Sequence, residues 1–160
     1  MEGVGMKIEQ AISQLRHEVN DRTLRYTTEE CLSYLNTAVQ MVCAQLAAWH
    51  APLLVQEVTL HDGEALPHNF LCTAGTYPVA VTGGRAVFLT GEPELMFRYY
   101  AGCERMEDWR GELPFSHDAI NQVVIKTAEL LATNTDEFDL SQDRALLDEL
   151  RAALQQTMSG

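Results

Sequence analysis

The sequence predicts an α+β fold, mainly an α-helical bundle of three to four helices with a small antiparallel β insertion between the second and third long helices. Three observations predict it. Apolar residues recur at helical spacing in four separate stretches. Between the second and third stretches the chain changes to short β-branched runs punctuated by glycine. The 160 residues are 46% hydrophobic and 21% charged, which suits one domain with its own core. The expected organisation is a single domain over 1–160. It has a helical hairpin over 1–51, a β-rich insertion over 52–103, a long helix over 113–132 and a C-terminal helix over 140–158.

Residues 7–19 place Ile8, Ile12, Leu15 and Val19 on one helical face. Asn20-Asp21-Arg22 forms a polar break. Thr27 with Glu30 reads as a capping box, in which hydroxyl and carboxylate each satisfy an orphan N–H. A long helix follows to about residue 49, with Leu32, Leu35, Val39, Val42, Cys43 and Leu46 on its apolar stripe and Asn36 and Gln40 on the other side. Pro52 ends it. Strands are expected over 54–60, 77–81, 85–89 and 95–101. Gly83-Gly84 links the middle two as a hairpin. His61-Asp62-Gly63 reads as a turn, 66–70 as an extended bend, and 104–112 as an exposed polar loop carrying Trp109. Ser116 is the expected cap of the third long helix, with Asp118 in its first turn and Ile120, Val124 and Leu131 on its buried side. The segment 133–138 breaks it, and Ser141 is expected to cap a last helix striped by Leu146, Leu147, Leu150 and Leu154.

Composition narrows the function classes. The net charge is −12, and the eleven Lys and Arg form no run. Affinity for nucleic acid rests largely on cationic contacts to phosphate, so a nucleic-acid grip is not expected. Residues 1–10 lack the apolar core of a signal peptide, and no stretch approaches the roughly 18 apolar residues of a membrane span. Cys31, Cys43, Cys72 and Cys103 are widely spaced without a CxxC, so reduced thiols are expected.

Common catalytic constellations are missing from the sequence. There is no GxxxxGK[ST], GxSxG or HExxH. His61-Asp62 and His117-Asp118 resemble the HD pairs of metal-dependent phosphohydrolases, but such a site needs further ligands at fixed spacing. His68 and Cys72 lie in a non-helical stretch and need not share a face. The expectation is a non-enzymatic protein with no cofactor and no metal.

Four motifs sharpen this reading. Arg25-Tyr26-Thr27-Thr28-Glu29-Glu30, followed by Leu32-Ser33-Tyr34-Leu35-Asn36, is similar to the RYT-x-x-E-LL-x-YLN opening of phage neck proteins. Leu66-Pro67-His68-Asn69-Phe70 resembles their LP-x-x-F element. Leu113-Pro114-Phe115 with His117-Asp118-Ala119-Ile120 resembles the start of their late helix. The fourth is the run AELLATNTDEFDLSQD over 128–143. Together, and in this order, they resemble the head-to-tail adaptor (connector, or head-completion) proteins of tailed bacteriophages, over about residues 22–154.

The resemblance implies a structural virion protein at the head–tail junction, made in the host cytoplasm. It would dock as a ring, expected to be dodecameric, on the portal protein after DNA packaging, and would link the head to a downstream neck or tail protein. DNA would pass through the channel without specific binding, and an acidic channel wall would suit the charge of −12. No membrane is involved. The resemblance brings no catalytic residues. The residues expected at a portal or subunit interface are Trp109, Tyr99, Leu140, Asp143, Leu147, Leu150 and Leu154. Trp109 and Tyr99 are aromatics of the kind enriched at interfaces, and the leucines belong to a short helix that must dock somewhere. Two alternatives are that Tyr99 or Tyr100 turns into the core, and that the leucines dock on the chain's own bundle. Rival readings are another phage neck protein (a stopper or tail terminator) and a non-phage protein-binding module.

Overall fold

The computed structural model describes residues 6–19, 26–134 and 138–159. The expected break at Asn20-Asp21-Arg22, residues 135–137 of the expected break over 133–138, and Arg25 of the first motif lie outside them. Among the described residues the α-helices are α1 (Ile8–Glu18), α2 (Thr28–Ala48), α3 (Asp118–Thr133) and α4 (Arg144–Ser159). The strands are β1 (Val55–His61), β2 (Phe70–Thr73), β3 (Val79–Thr82), β4 (Arg85–Phe88) and β5 (Glu94–Ala101), all between α2 and α3.

This overturns the expected mainly helical bundle with a small β insertion. Helix accounts for 48% of the described residues and strand for 21%, with the strands in two antiparallel sheets. The reason is that the β stretch buries its own core. Leu60, Ala86, Phe88, Phe97, Tyr99 and Ala101 form a buried cluster to which Phe70 and Tyr77 add partly buried rings. The chain accordingly divides into two compact units. Leu46–Gly102 is the β unit, and the described residues before and after it form the helical unit.

In the helical unit, α3 lies against α1 and α4. Gln14 Nε2 of α1 donates to Gln122 Oε1 of α3 at 2.6 Å. Ile8, Ile12 and Leu15 are buried on α1, and Ile120, Val123, Val124 and Leu131 on α3, as helical spacing requires. The capping box opens α2: Glu30 N–H donates to Thr27 Oγ1 at 3.0 Å, and Thr27 N–H to Glu30 Oε1 at 2.9 Å.

Two caps differ from expectation. The residue preceding α3 is His117, whose side chain makes no capping bond, so Ser116 is not the cap. Leu140–Gln142 form a 3-10 turn in which Asp139 accepts from the Ser141 N–H. The residue that caps α4 is Asp143, whose Oδ1 accepts the Leu146 N–H at 3.0 Å. In both cases several polar residues competed for one position, and the backbone path chose among them.

Asn36 also differs. The sequence places it on the polar side of α2, yet it is only 4% exposed. Its amide clamps the backbone of buried Met106, donating to the carbonyl at 3.0 Å and accepting from the N–H at 2.7 Å. One turn on, Gln40 Nε2 donates to the Cys103 carbonyl at 3.0 Å. The stretch from Cys103 is thus strapped along α2. Further on, Ile8 N–H donates to the Gly111 carbonyl and Leu113 N–H to the Met6 carbonyl.

In the β unit, one sheet has the order β1-β5-β2 and the other is the hairpin β3-β4. β5 pairs with β1 from Val55↔Tyr100 to His61↔Glu94, so Val58 and Leu60 share a face with Phe97 and Tyr99. β2 has no counterpart among the expected strands. It is four residues long and pairs with β5 through an irregular register between Phe70 and Cys72. The hairpin turns on Gly83 and Gly84, both at positive φ (58° and 76°). That is the geometry a two-residue hairpin demands and the reason glycine is favoured there. α2 ends through His50 in the left-handed region (φ 56°), with His50 N–H donating to the Ala47 carbonyl and Ala51 N–H to Leu46.

Candidate functional site

The expected interface residues divide between the units. Tyr99 belongs to the β unit and the other six to the helical unit. Tyr99 faces inward at 5% exposure, and its hydroxyl lies 2.9 Å from Asn69 Oδ1 and 3.2 Å from Gln56 Oε1. Leu140, Leu150 and Leu154 are buried within the chain itself, and Leu147 is half-buried. Asp143 is occupied as a helix cap. Of the seven, Trp109 alone is exposed, at 43%. It lines an open groove of about 360 Å³ with Glu9, Ile12, Ser13, Arg16 and Thr28, and the Arg110 guanidinium sits 5.4 Å from its ring centre. Arg16 donates from Nη2 to the Tyr26 carbonyl at 2.9 Å. The groove therefore pairs an apolar plate with cationic and anionic groups, the mixture from which interface anchors are built.

A second set of exposed apolar side chains lies in the β unit, where the sequence predicts no interface beyond Tyr99. Val81, Val87 and Leu89 of the hairpin region and Met96 of β5 are 53%, 41%, 69% and 58% exposed. The register accounts for Val87, on the face opposite buried Ala86 and Phe88; Val81 lies on the same face as those two, towards the turn, and is exposed nonetheless. Val79 and Val81 share a face with Phe88 and Ala86, while Ala80 and Val87 share the other. A strand apolar on both faces either lies buried on both or presents one to solvent. Val-Ala-Val and Ala-Val-Phe-Leu on the two arms of a hairpin were a readable sign that one face would be left uncovered.

No family model matches this chain, and no curated protein matches it. Its chemistry must therefore be judged on geometry. The His61-Asp62 pair is taken up by local structure: Asp62 Oδ1 accepts the Phe88 N–H at 2.8 Å. His61 reaches Glu64 through Nδ1 at 3.2 Å and Glu94 through Nε2 at 3.4 Å, all on the surface. Among the described residues, no three His, Cys, Asp or Glu side chains converge as a metal site. Nor is any helix among them long and apolar enough to cross a membrane.

Glu64 titrates below the usual carboxylate range, first because its carboxylate accepts the His61 backbone N–H at 2.8 Å, then because of the His61 ring. A lowered folded-state value means that ionised Glu64 favours the fold above its ordinary range, and that this contribution disappears as pH falls through the lowered value. His61→Ala keeps the backbone bond and removes the ring. The Glu64 titration should then move part of the way back up, as read by NMR of the side-chain carboxyl. An unchanged titration would mean that the ring contributes nothing.

Proposed function

We propose that this chain is a structural virion protein of a tailed phage, a head-to-tail adaptor that assembles as a ring on the portal protein, extends the DNA channel and meets the next neck or tail protein. It acts by assembly and carries out no reaction. The observation that carries an assembly role is the apolar surface the fold leaves uncovered, Trp109 in the helical unit and Val81, Val87 and Leu89 in the β unit. Large aromatic and aliphatic side chains of this kind are the usual anchors of protein interfaces.

The adaptor reading rests on the motif resemblance, and the motif residues sit at structurally defining points. Thr27 and Glu30 make the capping box of α2. Asn36, which ends the first motif, clamps the strap at Met106. Leu113 and Phe115 are buried just before α3. A closed ring needs heterologous contacts between unlike surfaces, and the two units offer unlike surfaces.

The test is to mix the full-length chain with purified portal from the same phage and image the mixture by electron microscopy. Added density below the portal with its rotational symmetry is expected. Trp109→Ala should leave the fold intact and weaken that binding. No added density across a range of salt concentrations would overturn the adaptor reading.

A further inference from the structure

The outer edge of the hairpin strand β3 is open, and the register shows which backbone groups it offers. Leu89 N–H donates to the Pro78 carbonyl at 2.8 Å, which makes 78 and 89 a hydrogen-bonded pair. Such pairs alternate along an antiparallel ladder. Ala80 and Thr82 therefore bond to Val87 and Arg85, and the backbone groups of Val79 and Val81 point away from β4. The far side of β4 follows the same alternation. Ala86 N–H donates to the Glu64 carbonyl, the Ala86 carbonyl accepts from the Gly63 N–H, and Phe88 N–H donates to Asp62 Oδ1. That edge is closed by residues 62–64. At the β3 edge, the Val79 N–H is held by the Tyr77 carbonyl at 2.8 Å. No other hydrogen bond among the described residues takes up the Val79 carbonyl or the Val81 N–H and carbonyl.

We propose that β3 pairs antiparallel with β3 of a second copy of this chain, about a twofold axis at Ala80. Each Val81 N–H then donates to the partner's Val79 carbonyl. Both bonds use groups left free in the single chain, and the bond from Val79 to Tyr77 is kept. Exposed Val81 lies beside the partner's Val79, an apolar cross-strand pair.

An open edge takes an extended strand, and charge selects a second copy as its source. Residues 71–91 carry a single charged side chain, Arg85, in a chain of net charge −12. Two acidic copies repel wherever their carboxylates meet, and this stretch is where they meet none. Exposed edges are normally blocked by a charge, a proline or a bulge. β1 carries Glu57, and β2 pairs through an irregular register. Within β3 itself, Val79-Ala80-Val81-Thr82, there is neither charge nor proline. A twofold contact closes on two copies, so it is separate from the ring contacts and does not depend on the adaptor reading.

The experiment is sedimentation equilibrium of the full-length protein in reducing buffer from about 10 μM to 1 mM, the span in which small interfaces associate. A monomer–dimer equilibrium is expected. The Val81 amide, open in the monomer, should gain protection from hydrogen exchange as the concentration rises. Val81→Pro removes a donor that points away from β4 and so leaves the hairpin ladder whole. It should weaken dimerisation at least about tenfold. Val81→Lys, the second variant, asks for no change of backbone. It puts a charge into the edge and should weaken dimerisation as well. Because it adds positive charge to a chain of net −12, a lost dimer would not reflect stronger overall repulsion. A monomer throughout that range, or an association that both variants leave unchanged, would overturn the inference. So would an assembly larger than a dimer that either variant dissolves. None of these outcomes bears on binding to the portal.

Discussion

Phe97→Ala should destabilise the β unit by about 4 kcal/mol, the usual range for removing a buried aromatic being about 3–5 kcal/mol. Phe97 is completely buried at the middle of the central strand β5. Its ring lies 5.0 Å from that of Tyr77, 6.0 Å from Phe70 and 6.2 Å from Tyr99. Truncation therefore leaves a cavity and strips three aromatic neighbours of their shared partner. The three rings belong to different strands or the turns between them, so they cannot collapse together without shifting the sheet register. Domains of this size are stable by only about 5–15 kcal/mol, so the loss is a large share of the total. Hydrogen exchange is the appropriate readout. Amides of β1, β2 and β5 should lose protection, while those of α3, in the other unit, should keep theirs. A chemical-denaturation change below about 1 kcal/mol would show that Phe97 is not the keystone of that core.

Asn36→Leu should cost about 3 kcal/mol, through a different mechanism. The substitution adds apolar bulk, which a hydrophobicity argument would score as favourable. It also leaves the buried N–H and carbonyl of Met106 unpaired, and each unsatisfied buried group costs about 1–3 kcal/mol. The polar penalty wins. Asn36→Asp should recover part of the loss, because a carboxylate still accepts from the Met106 N–H while opposing its carbonyl. Gln40→Ala is the matched control. Its bond to the Cys103 carbonyl is exposed, water replaces it, and the effect should stay within about 1 kcal/mol. Urea denaturation of the three variants separates these outcomes. Equal effects at 36 and 40 would contradict a buried clamp.

The two variants mark where sequence reasoning ran out. Asn36 is a polar residue on a helix whose apolar stripe is otherwise clear, and nothing local says that its amide has a buried backbone to satisfy. The partner lies 70 residues away in sequence. Phe97, by contrast, sits in an apolar run that reads as a strand, but the run alone does not say that β5 becomes the central strand, flanked by β1 and β2. β2 is the sharpest case. Phe70-Leu71-Cys72-Thr73 is too short to declare a strand by itself and becomes one because β5 supplies its hydrogen-bond partners. The candidate site divides in the same way. Trp109 was legible as an aromatic in a polar loop and is exposed. Tyr99 and the leucines of the last helix have the same residue types, yet the fold turns most of them inward.

What the sequence determined by itself is local. Helical spacing placed α1 to α4, Thr27 and Glu30 opened α2, Pro52 limited it, and Gly83-Gly84 turned the hairpin, because each depends on backbone preferences and neighbours a few residues away. The tertiary structure alone decided that the β stretch is a compact unit with its own core, which strand lies at its centre, and that Asn36 is buried. Those outcomes depend on which distant groups come together, and burial and hydrogen-bond satisfaction are settled only when both partners are in place.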